Sequence, residues 1–321
     1  FDQIDASPNP QRSQLSALWY EQKLLDDRVR IKIGKVDANN EFAMVNNAMD
    51  FLHGAFGNAP TIFLLPTYPD PACGVNLFLN PTKSTHIGLA MYDGSAAYGH
   101  SPGRAGPGRL LSGKAPLFWI GEAGYTYELA GGRDGRFVVG GWWSTATFEE
   151  VDELRQETVD VLGNPIIVNF GRAQPIHGVG GSYVVWEQTL WRENPDDPDD
   201  LQGIRAFYQF GNSNPHVTIF QFYNGAGFTW SGFADGRDED SIGFGVACSD
   251  LSSDPQAVNF RRGRIRNSDM RGSETALNSY YMWKHSPNLT ISPNTTYIIP
   301  AAQSAKYGSP LMLTLRILLS F

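Results

Sequence analysis

Apolar and polar residues alternate one by one along most of this chain. The last segment is the clearest. Leu311, Leu313, Leu315, Ile317, Leu319 and Phe321 fall on one face, and Met312, Thr314, Arg316, Leu318 and Ser320 on the other. A period of two is the signature of an extended strand, whose successive side chains point to opposite sides. The same reading predicts strands at 14–24, 28–37, 72–80, 84–93, 117–129, 136–147, 179–192, 202–211, 219–232, 241–249, 273–284, 289–299 and 311–321. Helical periodicity is confined to 41–52, with 50–56 as a frayed end.

In several strands one face is apolar without interruption while the other carries Arg, Lys or Gly. Val29, Ile31 and Ile33 alternate with Arg28, Arg30 and Lys32; Ile242, Phe244, Val246 and Cys248 alternate with glycines, Ala247 and Ser249. Such strands suit a wall with lipid outside and water inside, so the fold class predicted is all-β, a transmembrane antiparallel β-barrel. The connections support this. Short turns rich in Gly, Asn, Asp and Pro (25–27, 80–84, 131–135, 194–200, 234–240, 285–288) alternate with longer links (38–71, 94–115, 149–176, 250–272). Only 300–310 is intermediate and 212–216 an exception. Short periplasmic turns and long outer loops are the habit of outer-membrane barrels, and they make the final strand run inward. The first strand then also runs inward. Because bacterial barrels have even strand numbers, the parity predicts at least one strand upstream of 14–24, and an unclosed sheet without it.

Composition narrows the function. A mean hydropathy of −0.29 beside 19 Phe, 13 Tyr and 8 Trp fits alternating strands, and no apolar run reaches the about 20 residues of a transmembrane helix. The net charge of −8 argues against a nucleic-acid partner. One basic cluster, Arg261, Arg262, Arg264 and Arg266, reads as a solvated loop or a contact with anionic lipid. Six scattered His and two distant Cys, Cys73 and Cys248, give no metal-ligand spacing, so no metal and no cofactor is expected. Asp196, Asp197, Asp199 and Asp200 read as a solvated acidic turn. No phosphate loop and no nucleophile elbow is present.

Several stretches carry a family resemblance. Leu18-Trp19-Tyr20-Glu21-Gln22-Lys23, then Arg30-Ile31-Lys32-Ile33-Gly34-Lys35-Val36-Asp37 and Glu41-Phe42-Ala43, resemble carbohydrate-selective outer-membrane porins of the OprB type. So do Glu122-Ala123-Gly124-Tyr125, Gly140-Gly141-Trp142-Trp143, Gly236-Arg237-Asp238-Glu239-Asp240 with Ile242-Gly243-Phe244-Gly245, Tyr280-Tyr281, Ser286-Pro287-Asn288-Leu289 and Tyr297-Ile298-Ile299-Pro300. The resemblance runs from about Ser13 to Phe321. It implies one porin barrel domain over 1–321, sixteen strands in the family (so three missing upstream), and a bacterial outer-membrane location. It also implies passive diffusion of mono- and oligosaccharides without catalysis. Outer-membrane lipid and lipopolysaccharide would surround the wall, and a homotrimer and a monomer are both compatible. It makes 38–71 the third outer loop, which would fold inward as a constriction rather than lie over the mouth. The 236–240 motif falls in a periplasmic turn, where its role would be structural.

A sugar presents hydroxyls at its edge and C–H groups on its ring faces, so a selective channel needs fixed donors, acceptors and aromatic faces. The candidates are Arg28, Arg30 and Lys32 as donors, Glu21 and Glu122 as acceptors, Arg205 as a further donor, and Trp19 as a stacking ring. Lumen charges also form ladders that hydrate and align a barrel wall, and the sequence leaves both roles open. Tyr20, Tyr125, Tyr127, Tyr208, Tyr281, Trp283 and Tyr297 read as interfacial girdle residues. Trp142, Trp143, Trp186 and Glu187 lie in runs apolar at both parities and receive no face. The competing reading is a soluble all-β carbohydrate protein, either a lectin-like binder or a glycosidase using two of Glu21, Glu122, Glu187 and Glu274.

Overall fold

The alternating segments pair in chain order. The computed structural model describes residues 14–102, 106–149, 155–159, 165–169, 175–197, 200–218, 220–252, 272–300 and 308–320. Its strands are β1 (Leu18–Leu24), β2 (Val29–Val36), β3 (Ala72–Thr82), β4 (Thr85–Asp93), β5 (Leu117–Leu129), β6 (Arg133–Glu149), β7 (Arg155–Val159), β8 (Pro165–Asn169), β9 (Pro175–Arg192), β10 (Gly203–Asn212), β11 (Phe220–Ser231), β12 (Ser241–Leu251), β13 (Ser273–Ser286), β14 (Leu289–Ile299) and β15 (Leu311–Leu319). Thirteen of them form one antiparallel sheet in the order β1-β2-β3-β4-β5-β6-β9-β10-β11-β12-β13-β14-β15. Strands β1 and β15 are its two edges and do not pair with each other. The remaining two, β7 and β8, pair as a separate hairpin inside the 149–176 link, where no strand was predicted.

The two faces differ as the alternation requires. On one, Val75, Leu77, Leu79, Ile87, Leu89, Phe137, Val139, Phe228 and Phe244 are exposed, and Leu313 on β15 is 77% exposed. Tyr20, Tyr125, Tyr208 and Tyr297 stand exposed on that same side. On the other, Phe118, Val138, Tyr183, Phe207 and Tyr223 are fully buried. The faces left open by the sequence are now fixed. Trp143 is outward and exposed, Trp142 and Glu187 are inward and buried, and Trp186 donates from Nε1 to the outward Tyr127 hydroxyl at 2.9 Å.

What the inner face is buried against is the segment 38–71, between β2 and β3. It meets Glu122 of β5, Arg136 of β6, Glu187 of β9, Gln209 of β10, Tyr223 and Thr229 of β11, and Tyr280 of β13. One short segment touches strands this far apart because the sheet curves around it. The wall makes room: a Cβ on Gly245 would lie 2.6 Å from Phe56 and 2.9 Å from Phe51, so only glycine lets these rings approach β12.

The helix predicted over 41–52 does not form. The segment instead makes short 3-10 turns at Ala38–Asn40, Asn46–Ala48 and Gly54–Phe56. The cause is competition for backbone donors. The N–H of Ala43, at φ 55°, donates to Glu122 and that of Asn47 to Glu187, so neither is free for an i−4 carbonyl.

At the short-turn end, Asp240 stitches its turn to β13. Its buried carboxylate accepts from Arg237 Nε (2.8 Å), the Tyr281 hydroxyl (2.5 Å) and the Lys284 N–H (2.9 Å). The basic cluster 261–266 lies outside the described residues.

Candidate functional site

The inner face of β1 and β2 carries a compact charged cluster. Period-two geometry places Trp19 and Glu21 on β1 beside Arg30 and Lys32 on β2, through the pairs Trp19–Gly34, Glu21–Lys32 and Lys23–Arg30. Glu41, from the 38–71 segment, completes it. Arg30 Nη2 meets Glu41 Oε2 at 2.7 Å, and Lys32 Nζ meets Glu41 Oε1 at 2.6 Å. Glu21 Oε2 lies 3.2 Å from Arg30 and 3.9 Å from Lys32. Two cations face two carboxylates, so the formal charge is zero. Aromatic rings flank both cations: the Arg30 guanidinium stands 4.0 Å from the Phe78 ring centroid, and Lys32 Nζ 4.1 Å from that of Trp19. Trp19 is about half exposed, leaving much of its ring open.

A second group sits further round the wall. Glu122, 6% exposed, accepts from the Ala43 N–H (3.0 Å) and the Tyr183 hydroxyl (2.7 Å), and its other oxygen lies 3.2 Å from His86 Nε2. Glu187 accepts from the Asn47 N–H (2.7 Å), Asn46 Nδ2 (3.2 Å) and Arg136 Nη1 (2.7 Å). Arg136 also donates to the Met44 carbonyl at 3.1 Å. Each carboxylate thus takes one backbone N–H of 38–71 and is otherwise occupied by side-chain donors.

The structure thus distributes the seven candidates over four places. Trp19, Glu21, Arg30 and Lys32 come together. Glu122 stands apart, saturated by protein donors. Arg205, on the inner face of β10 opposite Thr189 and Thr229, makes no hydrogen bond or ion pair with that cluster or with Glu122 among the described residues. Arg28 lies outside the strands, exposed in the turn that precedes Val29. Sequence reasoning missed Glu41, Arg136 and Glu187 as members of these clusters. A signal existed for Glu187: a charge directly after the apolar run Val184-Val185-Trp186 in a lipid-facing wall must point inward, away from hydrocarbon.

A family model described as "Carbohydrate-selective porin, OprB family" matches residues 4–321. The fold is similar to a high-pH structure of Pseudomonas putida OprB, with a TM-score of 0.74 and 21% identity over 94% of this chain and 72% of that one. It is also similar to a low-pH structure of the same protein, with a TM-score of 0.56 and 17% identity over 96% and 67% of the two chains. No curated protein sequence matches. The match over nearly the whole length answers the soluble alternative, and the exposed apolar face of the sheet agrees with it. The chain belongs to the OprB family of carbohydrate-selective porins, outer-membrane β-barrels of Gram-negative bacteria.

Proposed function

We propose that sugars cross this porin by passive diffusion, with no chemical step, past a selectivity site formed by Arg30, Lys32, Glu21 and Trp19 with Glu41. The observation that carries this is the balance of the cluster: cationic donors and anionic acceptors within 4 Å of one another, formally neutral in sum, between two aromatic rings. A bare cationic patch would hold anions. A neutral array of donors and acceptors instead matches a polyol, whose every hydroxyl both gives and takes a hydrogen bond. The half-open Trp19 ring offers a face to the C–H side of a pyranose. In the same reading, 38–71 narrows the pore, since its contacts reach from β5 to β13. Glu122 then acts on sugar only through that segment. The outward aromatic and aliphatic side chains would meet outer-membrane lipid and lipopolysaccharide.

The test is sugar block of ion current in planar bilayers. Arg30→Ala with Lys32→Ala weakens the saturable block by glucose, raising its half-saturation about tenfold or more, as loss of one to two charged hydrogen bonds would. Block unchanged in the double variant would remove both residues from the site.

A further inference from the structure

Below the 38–71 segment, toward the short turns, lies a cavity of about 280 Å³ lined by Asn46, Asn47, Thr126, Asp134, Arg136 and Glu187. It is separate from the Arg30 cluster: its wall residues come from β5, β6 and β9 rather than β1 and β2. Its lining is mixed, with more apolar than polar surface, and part of the polarity it does carry is not consumed by the protein. Asp134 Oδ1 accepts from the Thr189 hydroxyl at 2.7 Å, whereas Oδ2 takes no hydrogen bond from the described residues. Asn46 and Asn47 spend their Nδ2 groups on Glu187 and on the Ala206 carbonyl, leaving both Oδ1 atoms open among the described residues.

Arg205 belongs with this cavity by its placement in the sheet. Its strand partners are Thr189 and Thr229. Thr189 holds Asp134, and Thr229 donates to the Asn47 carbonyl at 3.3 Å, so both partners are tied to cavity-lining residues. Asp134 and Arg205 feel each other's charge, yet the half-buried guanidinium makes no hydrogen bond or ion pair among the described residues. Two independent observations therefore meet here, a cavity with open acceptors and an arginine with idle donors at its border.

We infer that this cavity is a second sugar subsite on the periplasmic side of the constriction, with Arg205 and Arg136 as donors to ring hydroxyls and Asp134 Oδ2 as acceptor. It rests on the transport reading above and adds a second station to it. The charge again sums to zero, Arg136 and Arg205 against Asp134 and Glu187, which suits a neutral ligand. The volume falls just under the roughly 300–1,000 Å³ of drug-sized ligand sites, so the subsite takes one monosaccharide ring rather than a chain. Two weak stations in series let a solute leave the constriction without first regaining a full hydration shell, which is how multi-site pores combine binding with release.

The test is glucose titration of open-channel current for the full protein, comparing wild type, Asp134→Asn with Arg205→Gln, and Arg30→Ala with Lys32→Ala. The wild-type block resolves into two saturable components. Asp134→Asn with Arg205→Gln raises the half-saturation of one at least tenfold and leaves the other, whose half-saturation Arg30→Ala with Lys32→Ala raises instead. A single component in wild type, or two components both unmoved by Asp134→Asn with Arg205→Gln, overturns the second subsite while leaving the first in place. Absence of any glucose block overturns the transport reading and this subsite with it.

Discussion

Replacing Glu122 by Ala tests whether a buried carboxylate of the wall holds the 38–71 segment in place. Of the three groups that meet this carboxylate, only the Ala43 N–H comes from that segment; Tyr183 and His86 belong to neighbouring wall strands. Docking therefore loses one hydrogen bond to a charged acceptor, about 1.5–3 kcal/mol. Ala43 is 2% exposed and sits at φ 55°, a left-handed conformation that alanine adopts at a penalty of about 1–2 kcal/mol. Without its acceptor, the N–H has no reason to stay there. Taking about 2 kcal/mol as the loss, the local opening constant rises roughly thirtyfold, at about 1.4 kcal/mol per factor of ten. Glu122→Gln keeps an oxygen for the same N–H and gives up only the charge, so about 1 kcal/mol and a roughly fivefold effect follow. Amide hydrogen exchange in detergent or lipid reads this directly. Ala43 should exchange about thirtyfold faster in Glu122→Ala and severalfold faster in Glu122→Gln, while the amide of Val138, within β6, keeps its protection. Unchanged Ala43 exchange in Glu122→Ala would refute the clamp.

Two further outcomes follow from the same packing. Gly245→Val drives a side chain into Phe56 and Phe51, whose rings already stand 4.8 Å apart, and should weaken docking by about 1–3 kcal/mol; single-channel conductance then rises or fluctuates, and wild-type conductance would count against the constriction. Burial raises the Asp50 carboxyl above its ordinary 3.8, with Arg316 and a Tyr280 hydrogen bond opposing but not cancelling the effect. The docked segment consequently binds this proton more tightly than a released one. Docking is strongest below the ordinary value and weakens as pH rises through the docked one, and Asp50→Asn removes that dependence. Phe51 amide protection that grows with rising pH across this range in wild type would contradict the sign.

The sequence by itself determined the wall. Alternation is local, fixed by the two-residue period of the strand, so it named all thirteen sheet strands in order and assigned inner and outer faces wherever one parity was apolar and the other polar. Turn and link lengths carried the long-and-short alternation. The same logic placed Trp19, Glu21, Arg30 and Lys32 on one face, which the register of β1 and β2 then brought together. It was silent where both parities were apolar, as at Trp142–Trp143 and Trp186–Glu187. It also overran the start of β2, putting Arg28 on a strand face when the residue lies in the turn.

Only the tertiary structure decided what lies inside. The helix expected over 41–52 gave way because acceptors from distant strands, Glu122 and Glu187, captured its backbone donors. The partners of Arg30 and Lys32 were decided the same way, since Glu41 reaches them from a segment with no strand period to read. Charge and polarity in a sequence say that a side chain needs a partner. Which partner it finds depends on how far the sheet curves, and that curvature is a property of the whole set of strands.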